Sequence, residues 1–463
     1  MIVQTPTTRY EFEHNYPVRS TAQQVFDEQD LQRAIEAYRF FYPSVSAEAI
    51  FEANRVLGVA DGQGLIALFG GPQHTVFTAN SDTPYASGVL DLGVMGPVVI
   101  DVPAGPYVAL VDDHHQRWVI DMGIPGPDAG ASGKYLIVPP DHEGALPDGY
   151  HAARCPTYKA LLAVRAVPVG GDAQAAFDAL QNVKVYALDD PHRVLPYVDV
   201  THRPLDSTPL RWETNLEFWR RLHAVIDDEP AILELRPMFG VLAALGIEKG
   251  RPFAPDARMR GILEAGAQRA LDQMRVEGFA SRRPDRLVWK DRAWEWVGLV
   301  PDDADFETAD FLDLQARDRW FVQAICASPA MFRRQAGVGS VYFLGARDRG
   351  GEYLDGTRTY KLTVPQPVPA KMFWSVTAYD SGTRSQVRTQ QHKAVLGSLQ
   401  SRFEPNADGS IDLYFGPRAP AAREDQWIQT EPGSGFFLYF RIYGPDAAAL
   451  DGRWQLADLA PLD

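Results

Sequence analysis

Between Val98 and Pro139 the chain is cut into short apolar runs by glycine and proline. VVIDV (98–102), YVALV (107–111) and YLIVP (135–139) are β-branched or aromatic, and GP (96–97), PAGP (103–106) and PGPDAGASG (125–133) separate them. Runs this short cannot bury a helical face, and this punctuation is that of strands joined by turns. The first two runs read as a hairpin-like return. The signal comes back after Gly337: Tyr360, Leu362 and Val364 alternate with polar residues, and FWSVTAY (373–379), SIDLYF (410–415) and FFLYFRIY (436–443) follow, with turns at NADG (406–409) and PGSG (432–435). Two β-rich regions of sandwich or barrel-like type are expected.

Helical spacing occupies the rest. Ser20 with Gln23 forms a capping box, and Val25, Phe26, Leu31, Ile35 and Tyr38 recur at helical intervals. Pro43 is expected to stop this helix and Ser46 to cap a second one reaching Ala53. GDAQAAFDAL (171–180) reads as a helix. In 210–226, Trp212, Leu216, Trp219, Leu222 and Ile226 share one face, which at this spacing reads as core. Residues 258–279 and 311–332 read as two more helices. The fold class is therefore α+β, two β-rich domains joined by a helical segment. Its parts are 1–55 (N-terminal helical), 56–206 (first β-rich), 207–335 (helical) and 336–463 (C-terminal sandwich).

A chain of 463 residues with net charge −15 and a pI near 5.2 has no basic footprint for nucleic acid or anionic lipid. No apolar run reaches the length of a membrane span. Cys155 and Cys326 offer neither a metal spacing nor a disulfide framework. The first twenty residues lack the pattern of a secretory signal, so a cytoplasmic location is expected. The expected partner is a small-molecule ligand, with no nucleic acid and no membrane. A homo-oligomer stays open.

Polar groups concentrate in 77–140. NSDTPY (80–85) has two readings: Asn80 and Asp82 bonding to nearby amides in a turn, or Asp82 as a base with Asn80 and Tyr85 holding a bound molecule. Asp112, Asp113, His114, His115, Arg117 and Trp118 fall within seven positions. Treated as strand, that stretch puts His114 on the face of Asp112 and Gln116, with His115 opposite. Asp82, His114 and Asp112 are the candidate catalytic groups, and Arg117 and Trp118 are candidate substrate contacts or a plain ion pair with a packed indole. No HxH, HExxH, GxSxG or strand-following GxGxxG is present, so no metal and no cofactor is expected. Near one end of the C-terminal region, Trp374, Tyr379, Arg384 and Trp427 suit stacking on a ligand, or a core with a polar rim. The functional reading is an enzyme, a hydrolase or lyase, acting on a small organic molecule by acid/base chemistry in the first β-rich domain. The alternative is a non-catalytic protein binding a carbohydrate or other small ligand.

The chain resembles the bacterial proteins that pair domain of unknown function 1254 with domain of unknown function 1214. TANSDTPYASGVLDLGVMGPVVIDVP (78–103) and 121–150 carry the first resemblance. DGTRTYKLTVPQPVPAKMFWSVTAYD (355–380), DGSIDLYFGPRAP (408–420), GSGFFLYFRIYGP (433–445) and Trp454 carry the second. The resemblance implies a β-rich protein with a helical part and implies no activity. The chain departs from the pattern at Gln426, where Asn is usual before the Trp, at AGASG (129–133) in place of a GKGG-type run, and in lacking the export signal of many members.

Overall fold

The computed structural model describes residues 9–300, 305–337, 339–399 and 401–462. It divides into two compact units. One comprises the described residues up to Phe41 together with Arg211–Gln273; the other comprises Tyr42–Leu210 and the chain from Met274 onward.

The first unit is helical. It contains the start of α1 (Arg19–Val56), then α3 (Leu216–Asp228), α4 (Arg236–Ala244) and most of α5 (Ala257–Ala280). Asn215 caps α3 by accepting the amide of Glu217, which starts this helix later than the apolar pattern implied. Trp219 is fully buried and its indole N–H donates to the Leu263 carbonyl at 2.9 Å; Tyr38 stacks on Phe218 with centroids 4.0 Å apart. The aromatic face predicted as core is core.

Pro43 does not end α1. It lies inside one 38-residue helix, although an interior proline removes a hydrogen bond and costs roughly 3 kcal/mol. Burial outweighs that cost: Tyr42, Val45, Ala47 and Phe51 are all at or near zero exposure. Helix propensity is a weak preference beside packing on this scale.

The second unit holds two sandwiches. In the first, six strands run in the order β10-β1-β2-β8-β4-β5: Tyr197–Asp199, Leu65–Phe69, Pro84–Asp91, Lys159–Ala166, Tyr107–Asp113 and Trp118–Gly123. Four more run β7-β6-β3-β9: His151–Arg154, Gly133–Val138, Val98–Val102 and Lys184–Ala187. Val98, Ile100 and Val102 meet Ala86, Leu90, Ala109 and Leu162 in the core between these sheets, with α2 (Ala173–Leu180) packed against it through Phe177 and Leu180. The expected hairpin of 98–102 with 107–111 does not form. PAGP carries the chain across from one sheet to the other, because both runs are apolar enough to be buried in separate layers.

In the second sandwich, five strands run β11-β12-β18-β14-β15: Glu295–Trp296, Ser340–Gly345, Phe436–Pro445, Ala370–Asp380 and Val395–Gly397. Four run β17-β16-β13-β19: Trp427–Gln429, Ile411–Gly416, Tyr360–Val364 and Ala460–Pro461. Phe343, Trp374, Val376, Phe440 and Ile442 fill the core between them with Leu362, Leu413 and Phe415. Neither region closes into a barrel among the described residues.

The stretch expected as one helix over 311–332 is two: α6 (Leu314–Phe321) and α7 (Pro329–Phe332). Between them the backbone is buried and irregular, with Cys326 at φ +61°. Its amides bond to side chains of the first sandwich: Cys326 N–H donates to Gln116 Oε1 at 2.7 Å and Ala327 N–H to Asp112 Oδ2 at 2.9 Å. No described helix is long and apolar enough to cross a membrane.

Candidate ligand-binding cavity

Strand alternation gives each sheet a second face, and in the second unit two such faces line one cavity of about 260 Å³. In β8, Ala160, Leu162 and Val164 point into the first sandwich, so Leu161, Ala163 and Arg165 point out. Across the ladder Arg165 pairs with Tyr85 of β2 and Val108 of β4. From the second sandwich, β18 turns Leu438, Phe440 and Ile442 inward and leaves Tyr439, Arg441 and Tyr443 on the cavity side, with Tyr342 of β12 and Ser375 of β14 flanking Arg441.

The loop before β2 spans these two faces. Arg441 donates to the Thr78 carbonyl at 2.7 Å and to Thr377 Oγ1 at 3.2 Å; Tyr379 donates to the Ala79 carbonyl at 2.7 Å. Asn80 Nδ2 donates to Tyr443 Oη at 2.9 Å, while Asn80 Oδ1 accepts the Asp82 amide at 3.2 Å. Asp82 is buried, and its Oδ2 accepts the Ser375 hydroxyl at 2.6 Å. Burial raises the Asp82 carboxyl above its ordinary range, opposed by that hydroxyl and by the charges of Arg441 and Arg165. Both readings of NSDTPY therefore have a physical basis: the turn bonds exist, and Asn80 and Tyr85 line the cavity with Asp82 behind them.

DDHHQRW is placed differently. β4 ends at Asp113 and β5 begins at Trp118, with Gln116 at φ +54° in the connection, so strand alternation does not extend through the histidines. Both rings face α1. His114 Nε2 lies 3.4 Å from Glu48 Oε2, and its ring packs 4.7 Å from that of Phe51. His115 Nδ1 lies 2.7 Å from Ser44 Oγ, and Gln116 Nε2 donates to the Pro43 carbonyl at 2.8 Å. Asp113 Oδ1 accepts the amides of His115 and Arg117 at 2.8 and 2.9 Å. Burial pushes Asp112 well up, pushes Asp113 up to about 6, and holds His115 well below its usual range. None of Asp112 to Trp118 lines the cavity, and Trp118 is exposed.

The C-terminal aromatic set is dispersed. Trp374 is in the sandwich core, stacked on Phe440 with centroids 5.4 Å apart. Trp427 belongs to the other sheet and donates to the Gly416 carbonyl at 2.9 Å. Tyr379 holds the 78–79 backbone, and the buried Arg384 lies 4.5 Å over the Phe77 ring. Gln426, one of the departures from the family pattern, bonds the Asp412 carbonyl and the Glu404 amide, a structural role.

Sequence reading missed Asn54, His74, Asp121 and Arg165 as lining residues. Asp121 stood out only as part of the polar-rich 77–140 stretch, and Arg165 is a lone charge in ALLAVRAVPV (160–169). Among the described residues Asp121 is the one carboxyl lining the cavity; burial pushes it up to about 6, against the Ser328 and Trp118 side chains and the Ala330 amide. Six lining residues, Asn54, His74, Thr83, Asp121, Arg165 and Tyr439, have a buried side-chain nitrogen or oxygen with no hydrogen-bond partner among the described residues. The described residues offer no group of three or more His, Cys, Asp or Glu side chains able to hold a metal ion.

This is an α+β protein of two sandwiches with a helical part and an internal cavity. The family model described as Protein of unknown function (DUF1254) matches residues 66–187, most of the first sandwich, and that described as Protein of unknown function (DUF1214) matches residues 339–447, most of the second. The chain pairs these two domains, in that order. It is similar in fold to the crystal structure of the VPA0106 protein from Vibrio parahaemolyticus, with a TM-score of 0.57 and 17% identity, covering 94% of this chain and 100% of that one. An uncharacterized protein from Burkholderia cenocepacia matches with a TM-score of 0.41 and 14% identity, covering 96% and 97%. No curated protein matches the chain.

Proposed function

We propose that this protein binds a small, largely apolar organic molecule in the cavity between the two sandwiches. One observation carries the reading: six polar side chains, each with a buried nitrogen or oxygen unpaired among the described residues, line one mainly apolar cavity. Buried polar groups are nearly always hydrogen-bonded, and a concave apolar site with a few converging polar groups is the general form of a ligand pocket. The volume lies near the lower end of such pockets, about 300–1,000 Å³, which favours a small ligand. A cytoplasmic setting is part of this reading, supported by two buried free cysteines.

Catalysis is a second reading, and Asp121 favours it. A carboxyl titrating near 6 beside a bound molecule can give or take a proton at neutral pH, as acid/base hydrolysis or elimination requires. Of the groups named from sequence as catalytic, Asp82 accepts the Ser375 hydroxyl, Asp112 accepts the Ala327 amide and His114 lies beside Glu48, and none of the three lines the cavity.

The test is a thermal-shift panel of small acids, alcohols, amides and sugars, run on the wild type and on Ala163→Phe, whose ring would project into the cavity. A ligand at one hundred times its Kd stabilises by about 2.7 kcal/mol, a shift of several degrees. We expect at least one class to give such a shift and Ala163→Phe to lose it. A panel without any shift, or a shift that survives Ala163→Phe, would exclude binding in this cavity. If a bound compound is also turned over, Asp121→Asn should keep its binding and lose its turnover.

A further inference from the structure

We propose that the ligand is a carboxylic acid with an apolar body, its carboxylate held by the guanidinium of Arg165. This rests on the cavity being a ligand site and says which class of molecule enters it.

Arg165 rises from an apolar floor, on the same strand face as Leu161 and Ala163. It makes no ion pair with any described residue, and its Nε has no hydrogen-bond partner among them. A guanidinium keeps its charge at every physiological pH, and an interior cation without a counter-ion is costly. Its immediate neighbours are neutral rings: Tyr85 at 5.3 Å and Tyr443 at 5.9 Å from the guanidinium carbon, with the Tyr342 hydroxyl beside it. Cation–π contacts ease such a charge without neutralising it.

Arg441, facing it from the other sheet, is committed to the Thr78 carbonyl and Thr377. It fixes the loop and adds charge, whereas Arg165 is tied to no carbonyl or carboxylate of the described residues and has only the Tyr342 hydroxyl as a hydrogen-bonding neighbour. The carboxyl that feels both charges is Asp82, already bonded to Ser375 and behind the lining. Asp121 lines the cavity but forms no ion pair with Arg165. With Asp82 ionised, the two guanidiniums outnumber by one the carboxylate that acts on them, and Asp121, raised to about 6 elsewhere in the lining, adds negative charge at pH 7.5 that disfavours a phosphate dianion beside a monoanion. The planar fork of arginine binds carboxylate bidentately. The rest of the lining, including Ile50, Leu68, Val108, Leu110 and Phe373, suits a hydrocarbon or aryl body.

The experiment measures binding by calorimetry at pH 7.5 for octanoate and 4-phenylbutyrate, each against its own alcohol and its own phosphate monoester. Wild-type protein should bind at least one acid, tenfold or more tighter than the matching alcohol and tighter than the phosphate. Arg165→Met should remove that preference and leave the alcohol affinity within about twofold. Should Arg165→Met fail to fold, Arg165→Lys, which keeps charge but loses the fork, should weaken acid binding at least fivefold. Equal affinity for acid and alcohol, an unchanged acid affinity in both variants, or tighter phosphate binding overturns the carboxylate assignment and leaves the cavity as a ligand site. Binding of no probe of any class overturns both.

Discussion

Asp82 shows how one side chain serves fold and electrostatics together. Its Oδ2 accepts the Ser375 hydroxyl, and its charge acts on Arg165 and Arg441 from behind the cavity wall. Asparagine in its place can still accept that hydroxyl but carries no charge. Asp82→Asn should therefore fold with a Tm within a few degrees of wild type and bind an apolar acid several-fold more tightly, because the cavity loses its compensating anion. Asp82→Ala should cost about 1–3 kcal/mol, since it leaves the buried Ser375 hydroxyl without its partner. Calorimetric titration and urea melts of both variants decide the point. If Asp82→Asn instead abolishes binding or turnover while folding normally, Asp82 itself meets the ligand, as the turn motif first suggested. At this scale the sequence marked Asn80, Asp82 and Tyr85 because polar residues cluster in a turn. Arg165 stayed hidden because one charge in an apolar strand has no local partner to betray it; its counterpart residues lie in β2, β12 and β18, far along the chain.

The strands were legible because each sheet face imposes a period of two. FFLYFRIY is the clearest case: Leu438, Phe440 and Ile442 enter the sandwich core while Tyr439, Arg441 and Tyr443 take the other face. What local pattern could not convey was where tertiary burial overrides it, in α1 running through Pro43, and in 322–328 staying irregular because Gln116 and Asp112 satisfy its amides. Those two side chains come from the dense DDHHQRW run. Close approach between elements makes a further prediction. A Cβ on Gly345, at the end of β12, would come 2.6 Å from the Trp294 ring, and Trp294 is almost fully buried. A Cβ on Gly266 in α5 would come 2.6 Å from the Ala34 Cβ of α1. Neither neighbour can yield without moving its element, so Gly345→Ala and Gly266→Ala should each cost about 1–3 kcal/mol. Gly261, in the same helix as Gly266, would meet nothing within 4 Å. There alanine should stabilise by roughly 0.5–1 kcal/mol through helix propensity, and a Gly266→Ala variant as stable as Gly261→Ala would refute the packing argument.

Across the whole molecule, buried carboxyls and surface charge set a common pH response. Asp113 and Asp121 are raised to about 6 by burial, and Asp82 and Asp112 are also raised. A carboxyl whose folded value exceeds its unfolded value of about 3.9 binds protons more readily in the native state. Its ionisation therefore destabilises the fold as pH rises from about 4 to above 6. Glu48 has the opposite sign: burial acts to raise it, but His114 and Arg55 outweigh burial and hold it at about 2. It contributes stability above about pH 4.5 that is lost as pH falls toward 2. The net charge of −15 reinforces the first trend, because mild acidification reduces self-repulsion. Thermal stability should accordingly peak between about pH 4.5 and 6, above its value at pH 8. Asp113 and Asp121 together should supply roughly 2 kcal/mol of the difference between pH 8 and 5.5, a Tm change of roughly two to four degrees. Asp121→Asn carries no titrating group at that position, so it should lose about half of this gain and lie closer to, or above, the wild-type Tm at pH 8 than at pH 5.5. Scanning calorimetry of both proteins from pH 3.5 to 8 tests this. A wild-type Tm that climbs steadily from pH 5.5 to 8, or an identical profile for Asp121→Asn, would show that the cavity carboxyl is not held protonated by burial, and with it would go the acid/base reading of Asp121.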